Sequence, residues 1–212
     1  MSQDIIDRLS QDLRPVPKFV VARRLLVGTA AGVVVSAALT AAILGLRPDM
    51  SQAVGKTMFW VKLAYALALA ALGLWTCERL TRPAGAPRRR ISWLPAPVLA
   101  LGAAAVWQLA HAPANARMPM LMGHSASVCP WLILAFSLPP LVGLVWAVRG
   151  LAPTRLGLTG LMVGLAAGGA GAAAYALHCD EMAAPFLVVW YTLGIAAAGF
   201  VGWSLGPRVL RW

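Results

Sequence analysis

Six stretches of nearly continuous apolar residues organise this chain, at about 25–46, 58–77, 93–112, 129–148, 156–178 and 185–205. Each is close to the roughly 20 apolar residues that a helix needs to cross a hydrocarbon core of about 30 Å. None alternates apolar and polar positions as a barrel strand does, and a helix satisfies its own backbone groups in lipid. The pattern predicts an all-α, polytopic integral membrane bundle of six helices with short connections. This bundle takes up residues 25–212 and leaves 1–24 as a separate amino-terminal segment.

That segment has a different pattern. Ile5, Ile6, Leu9 and Leu13 recur at spacings that line one helical face, while Asp4, Asp7, Arg8, Gln11 and Asp12 fill the rest. Ser2 is placed to cap the helix and Asp4 to favour its positive end. Pro15 and Pro17 then stop it, because a residue before proline is pushed toward extended backbone. A helix of about 12 residues is marginal alone in water, so its apolar stripe needs a surface. Three aspartates on the polar face disfavour anionic lipid headgroups, and a groove on a protein partner is the expected surface.

Composition supports the membrane reading. Hydrophobic residues make up 60% of the chain and charged residues 12%, against roughly a quarter charged in soluble domains. The net charge of +11 is a topology signal rather than evidence for direct nucleic-acid binding, because Lys and Arg collect on the untranslocated side. With both termini inside, every Lys and Arg except Arg47, Lys56, Lys62 and Arg117 falls on the cytoplasmic side. The first stretch is expected to remain as an anchor, since Asp4, Asp7 and Asp12 precede it where a signal peptide would be free of acid.

Within the stretches, Gly164, Gly168 and Gly171 with their alanine neighbours prepare the fifth helix for close packing. Pro139 and Pro140 are expected to kink or tilt the fourth. Trp60, Trp93, Trp131, Trp146 and Trp190 sit near predicted ends as interface anchors. Lys62 lies near the outer end of the second stretch, where a lysine is expected to snorkel. No stretch has Asp, Glu, Lys or Arg at its centre, which weakens the alternative of a small six-span transporter.

Of the three cysteines, Cys129 and Cys179 fall at the outer ends of the fourth and fifth stretches, with His124 and His178 close by. Three readings stand side by side: small apolar residues with locally satisfied imidazoles, a disulfide, and a redox- or metal-sensing site of Cys129, Cys179, His124 and His178 that holds a regulatory heavy-metal ion, with the two thiolates as its ligands. Cys77 lies at the other end of the second stretch and reads as packing. Asp180 and Glu181 read as a solvated loop. No nucleophile, base and orienting acid converge, and no resident cofactor is implied, so the chain reads as a non-enzyme. A membrane thiol-disulfide oxidoreductase is the alternative, weakened by the lack of a C-x-x-C spacing.

Gly45-Leu46-Arg47-Pro48-Asp49, Phe59-Trp60-Val61-Lys62, Gly123-His124-Ser125 followed by Cys129, Ala152-Pro153-Thr154-Arg155, Tyr175 through Cys179, Trp190-Tyr191 and Gly206-Pro207-Arg208 run in order through nearly the whole chain. Together they resemble the negative regulator of sigma F (NrsF) family. The resemblance implies a multi-pass anti-sigma factor of the bacterial inner membrane, which holds an extracytoplasmic-function sigma factor inactive and releases it on stress. It further implies that the segment Ser2 to Pro17 binds sigma and that Cys129 and Cys179 respond to metal or oxidant.

Overall fold

A computed structural model describes residues 19–82, 88–151 and 153–211. The amino-terminal residues Ile5, Ile6, Leu9 and Leu13 lie outside the described residues. Those described form helices and connecting turns, with no strand among them.

The first long helix, α1, runs Val20–Leu39 and continues into a π-helical turn, Thr40–Leu44. It stops at Gly45, whose φ of +79° is a left-handed conformation that side chains rarely adopt. Then come α2 (Thr57–Leu80), α3 (Pro95–His111), α4 (Cys129–Arg149) and α5 (Leu156–Tyr175). The last helix, α6, spans Ala184–Val209 and includes a second π-helical turn, Leu187–Tyr191. Pro95 opens α3 at a position where the missing N–H would have had no partner anyway. All six are long and apolar enough to cross a membrane. A further short helix, Ala114–Met122, sits in the connection before α4, where the sequence pattern had indicated only a link.

α5 is the axis of the bundle and packs against α6, α2, α4 and α1, whereas α3 stands at the periphery against α2 and the start of α6. Side-chain size explains this centrality. A Cβ on Gly164 would run into the Ala198 carbonyl of α6, and one on Gly169 into the backbone of Ala66 and Ala70 in α2. Only a helix without side chains at these points lets neighbouring backbones approach on several sides. α4 continues as a helix through Pro139 and Pro140, and Pro140 sits against Gly32 of α1.

The bundle has two apolar clusters. One gathers Cys129, Cys179, Phe136, Tyr175, Phe186 and Tyr191, and the other gathers Leu25, Cys77, Leu80, Leu144 and Met162. Around the outside, Leu26, Val34, Ile43, Leu67, Leu99, Val106, Val142 and Phe200 are exposed. Trp60, Trp93, Trp131 and Trp146 are exposed near helix ends, whereas Trp190 is half-buried and donates from its indole to the Leu121 carbonyl at 2.9 Å.

Candidate functional site

The turn between α5 and α6, residues 176–183, carries Cys179, His178, Asp180 and Glu181, and it is tied down from three directions. Lys62 of α2 is fully buried rather than snorkelling. Its Nζ donates to the carbonyls of Cys179 (2.7 Å) and Glu181 (3.0 Å) and lies 5.8 Å from the Tyr191 ring. The reason is rotational: Lys62 shares a helical face with Ala66, Leu69, Ala70 and Gly73, which point into the bundle. A buried ammonium demands acceptors, and the exposed carbonyls of the turn supply them.

Arg47, just beyond α1, is the second tie. It is 4% exposed, and its fork grips Asp49 through Nε (2.7 Å) and Nη2 (2.8 Å), leaving Nη1 to reach the Cys179 carbonyl at 3.3 Å. The Arg47 guanidinium holds the Asp49 carboxyl below the usual carboxylate range. Beside it the Arg47 amide donates to the Leu177 carbonyl (3.2 Å), and His178 Nδ1 donates to the Gly45 carbonyl (3.0 Å).

Glu181 is the third. It is buried, contrary to its reading as part of a solvated loop, while Asp180 is exposed. Glu181 Oε1 accepts from the His124 amide (2.8 Å) and the Ser125 hydroxyl (3.3 Å), and the His124 ring lies 3.0 Å from Glu181 and 3.1 Å from Asp180. This pins the segment before α4 to the turn before α6. Gly123, at φ +51°, faces the same carboxylate in space that a Cβ would occupy.

The three ties bring Cys129 and Cys179 together. Both thiols are buried and free and lie side by side in one apolar cluster. The Cys179 thiol is pushed below its ordinary value, chiefly by the Cys129 thiol beside it and then by the Lys62 charge, against the opposing effect of burial. The Tyr191 hydroxyl is buried in the same cluster without a hydrogen-bond partner. Cys77 is also buried but belongs to the other apolar cluster.

The two histidines flank the pair without joining it: His178 is turned to Gly45 and His124 to Asp180 and Glu181. Among the described residues no group of three or more His, Cys, Asp and Glu side chains is arranged to hold a metal ion. A polar cavity of about 400 Å³ above the turn is lined by Arg47, Asp49, His124, His178 and Asp180. Lys62, Arg47 and Glu181 were named in the sequence but not as parts of the site. The signal for Lys62 was its place on the small-residue face of α2; Arg47 and Glu181 carried none, since their ties to Cys179 and His124 cross more than 50 residues.

A six-helix bundle with an apolar perimeter and a buried thiol pair braced by Lys62 at one end defines the class of all-helical, polytopic proteins. The chain belongs to the family described as negative regulator of sigma F, whose model matches residues 9–212. It is similar to the anti-sigma-F factor NrsF of Caulobacter vibrioides (strain NA1000 / CB15N), at 39% identity covering 100% of this chain and 99% of the relative. It is also similar to the probable anti-sigma-F factor NrsF of Azospira oryzae (strain ATCC BAA-33 / DSM 13638 / PS), at 35% identity over 100% and 99% respectively. No solved structure matches the chain.

Proposed function

We propose that this protein is an anti-sigma factor of the bacterial inner membrane that sequesters an extracytoplasmic-function sigma factor at the cytoplasmic face. The observation that carries this reading is the match to negative regulators of sigma F over nearly the entire chain. The exposed Leu, Val, Phe and Trp side chains around the six helices support immersion in lipid, because a surface of that kind in water exceeds the few hundred Å² of apolar patch that soluble monomers tolerate. The distribution of Lys and Arg supports an orientation with both termini inside and the Cys129 end of the bundle outside.

In this orientation the amphipathic segment 1–24 faces the cytoplasm and binds sigma through Ile5, Ile6, Leu9 and Leu13. Cys129 and Cys179 sense oxidant or a thiophilic metal ion on the far side. Their contact, their burial and the low pKa of Cys179 support that role. Two thiolates capture a soft cation with ligands drawn from outside the protein, or close to a disulfide, and either event changes the turn between α5 and α6.

The test is capture of a purified extracytoplasmic-function sigma factor by the full-length protein in detergent. Wild type is expected to retain it and Leu9→Asp to lose it; equal capture by both would remove the amino-terminal segment from the mechanism. Cys129→Ser and Cys179→Ser are expected to keep sigma when treated with cadmium or diamide, whereas wild type releases it. Release by both variants would reduce the cysteines to packing residues.

A further inference from the structure

We propose that Arg47 is the positioning residue that transmits displacement of the Cys179 turn into α1, which makes the first helix the link between the thiol pair and the amino-terminal segment. The proposal rests on the function proposed above and adds the route by which the two ends communicate.

Three hydrogen bonds fasten the end of α1 to the turn. They run from Arg47 Nη1 to the Cys179 carbonyl (3.3 Å), from the Arg47 amide to the Leu177 carbonyl (3.2 Å), and from His178 Nδ1 to the Gly45 carbonyl (3.0 Å). The bidentate grip on Asp49 prevents the guanidinium from swinging away, and a rigid planar fork passes on movement that a flexible ammonium would absorb. The bonds to Cys179 and Leu177 flank His178, so the turn cannot shift without pulling on residues 45–47.

The rest of α1 is suited to moving as a rod. Its face toward α4 is Gly28, Gly32 and Ser36, where backbones touch at Gly28 with Gly143 and at Gly32 with Pro140. Side chains on α1 therefore do not interdigitate there, and the polar tie is the Ser36 hydroxyl to the Phe136 carbonyl at 2.7 Å. From Val20 to Leu39 the helix has neither proline nor a break, so motion at its end reaches the residue that follows the amino-terminal segment. The π-helical turn Thr40–Leu44 lies between the rod and the clamp. Such turns hold one extra residue within a helix and are frequent at functional sites. α2 is also tied to the turn, through Lys62, but its far end leads toward the α2–α3 connection rather than the amino terminus.

Disulfide closure supplies the displacement. In the reaction with diamide, Cys129 and Cys179 together give two electrons and two protons to the N=N bond; an S–S bond forms and diamide becomes a hydrazine. The new bond is about 2.05 Å long, well inside the separation of two unbonded sulfurs, so the sulfurs draw together and pull on the Cys179 turn.

The experiment measures sigma affinity with and without diamide for the full-length protein in nanodiscs, using a sigma factor that wild type retains, and follows the Cys129–Cys179 disulfide by mass spectrometry. Wild type is expected to lose affinity about tenfold, inside the range typical of coupling between sites. Arg47→Met is expected to bind sigma like wild type and to form the disulfide, yet to change affinity by less than about twofold on oxidation. Arg47→Lys should restore part of the response. His178→Phe removes one clamp at similar volume and should lower the response too, which keeps the test decisive if Arg47→Met is not recovered folded. A full tenfold release in Arg47→Met or His178→Phe, with the disulfide formed, would overturn the route through α1. Failure of wild type to respond while its disulfide forms would overturn the sensing role and the coupling with it.

Discussion

Lys62 Nζ lies 2.7 Å from the carbonyl oxygen of Cys179, across 117 residues of sequence. A lysine inside a long apolar helix thereby fixes the backbone that carries one of the two neighbouring thiols, and the same ammonium reaches the Glu181 carbonyl. The cation holds the turn between α5 and α6 from below, while Arg47 holds it from the side and Glu181 ties it to the segment before α4. The turn is held through charge-assisted bonds, which are about twice as strong as neutral ones.

Lys62→Met removes this brace. The Cys179 carbonyl keeps Arg47, but the Glu181 carbonyl loses its Lys62 donor. A buried acceptor left bare costs about 1–3 kcal/mol, so denaturant unfolding in detergent should show a loss of that order relative to wild type. Arg would not substitute for Lys here, because a planar fork has a different shape from a compact ammonium.

The thiol pair makes stability depend on pH. In the folded protein the Cys129 thiol and the Lys62 charge hold Cys179 below its ordinary value of 9.0. A depressed pKa contributes stability that is complete above the unfolded value and is lost as pH falls through the folded one. The unfolding midpoint of reduced protein should therefore decline as pH falls below about 9, and the decline should shrink in Cys179→Ala. Cys129→Ala removes the leading cause of the depression, so alkylation of Cys179 by maleimide should shift to higher pH in that variant.

Glu181→Ala should loosen the other side of the site. The His124 amide and the Ser125 hydroxyl lose the carboxylate they share. Hydrogen bonds to charged groups contribute about 1.5–3 kcal/mol, and amide exchange at residues 123–125 should speed up correspondingly. Exchange along α5 should not change, since its hydrogen bonds lie within the helix.

Gly164→Leu tests the axis of the bundle. The new side chain meets the α6 backbone at Ala198 and Gly199, which is main chain and cannot turn aside. Overpacking of this kind costs about 1–3 kcal/mol, and the variant should unfold at lower denaturant while Gly102→Leu, in open space on α3, stays near wild type.

Much of this was legible in sequence. Six apolar stretches correspond to six helices, with ends differing by a few residues where π-helical turns and polar caps extend or shorten them. The first helix starts five residues earlier than the apolar run, at Val20, because Arg23 and Arg24 are accommodated on a helix end with Arg24 over the Trp146 ring. Cys129 and Cys179 stood out by type and position. Their contact did not, because it depends on how two helix ends meet, and neither end records the other in its local pattern.

By itself the amino-acid sequence determined the all-α architecture, the apolar perimeter and the unequal distribution of cations, since hydropathy and helical period are properties of neighbouring residues. Tertiary structure alone decided that Lys62 turns inward, that Arg47 and Glu181 close on one turn, and that two sulfurs 50 positions apart touch. Those outcomes follow from helix rotation and crossing, which are set when glycine and alanine faces meet across the bundle and each buried charge must find its partner.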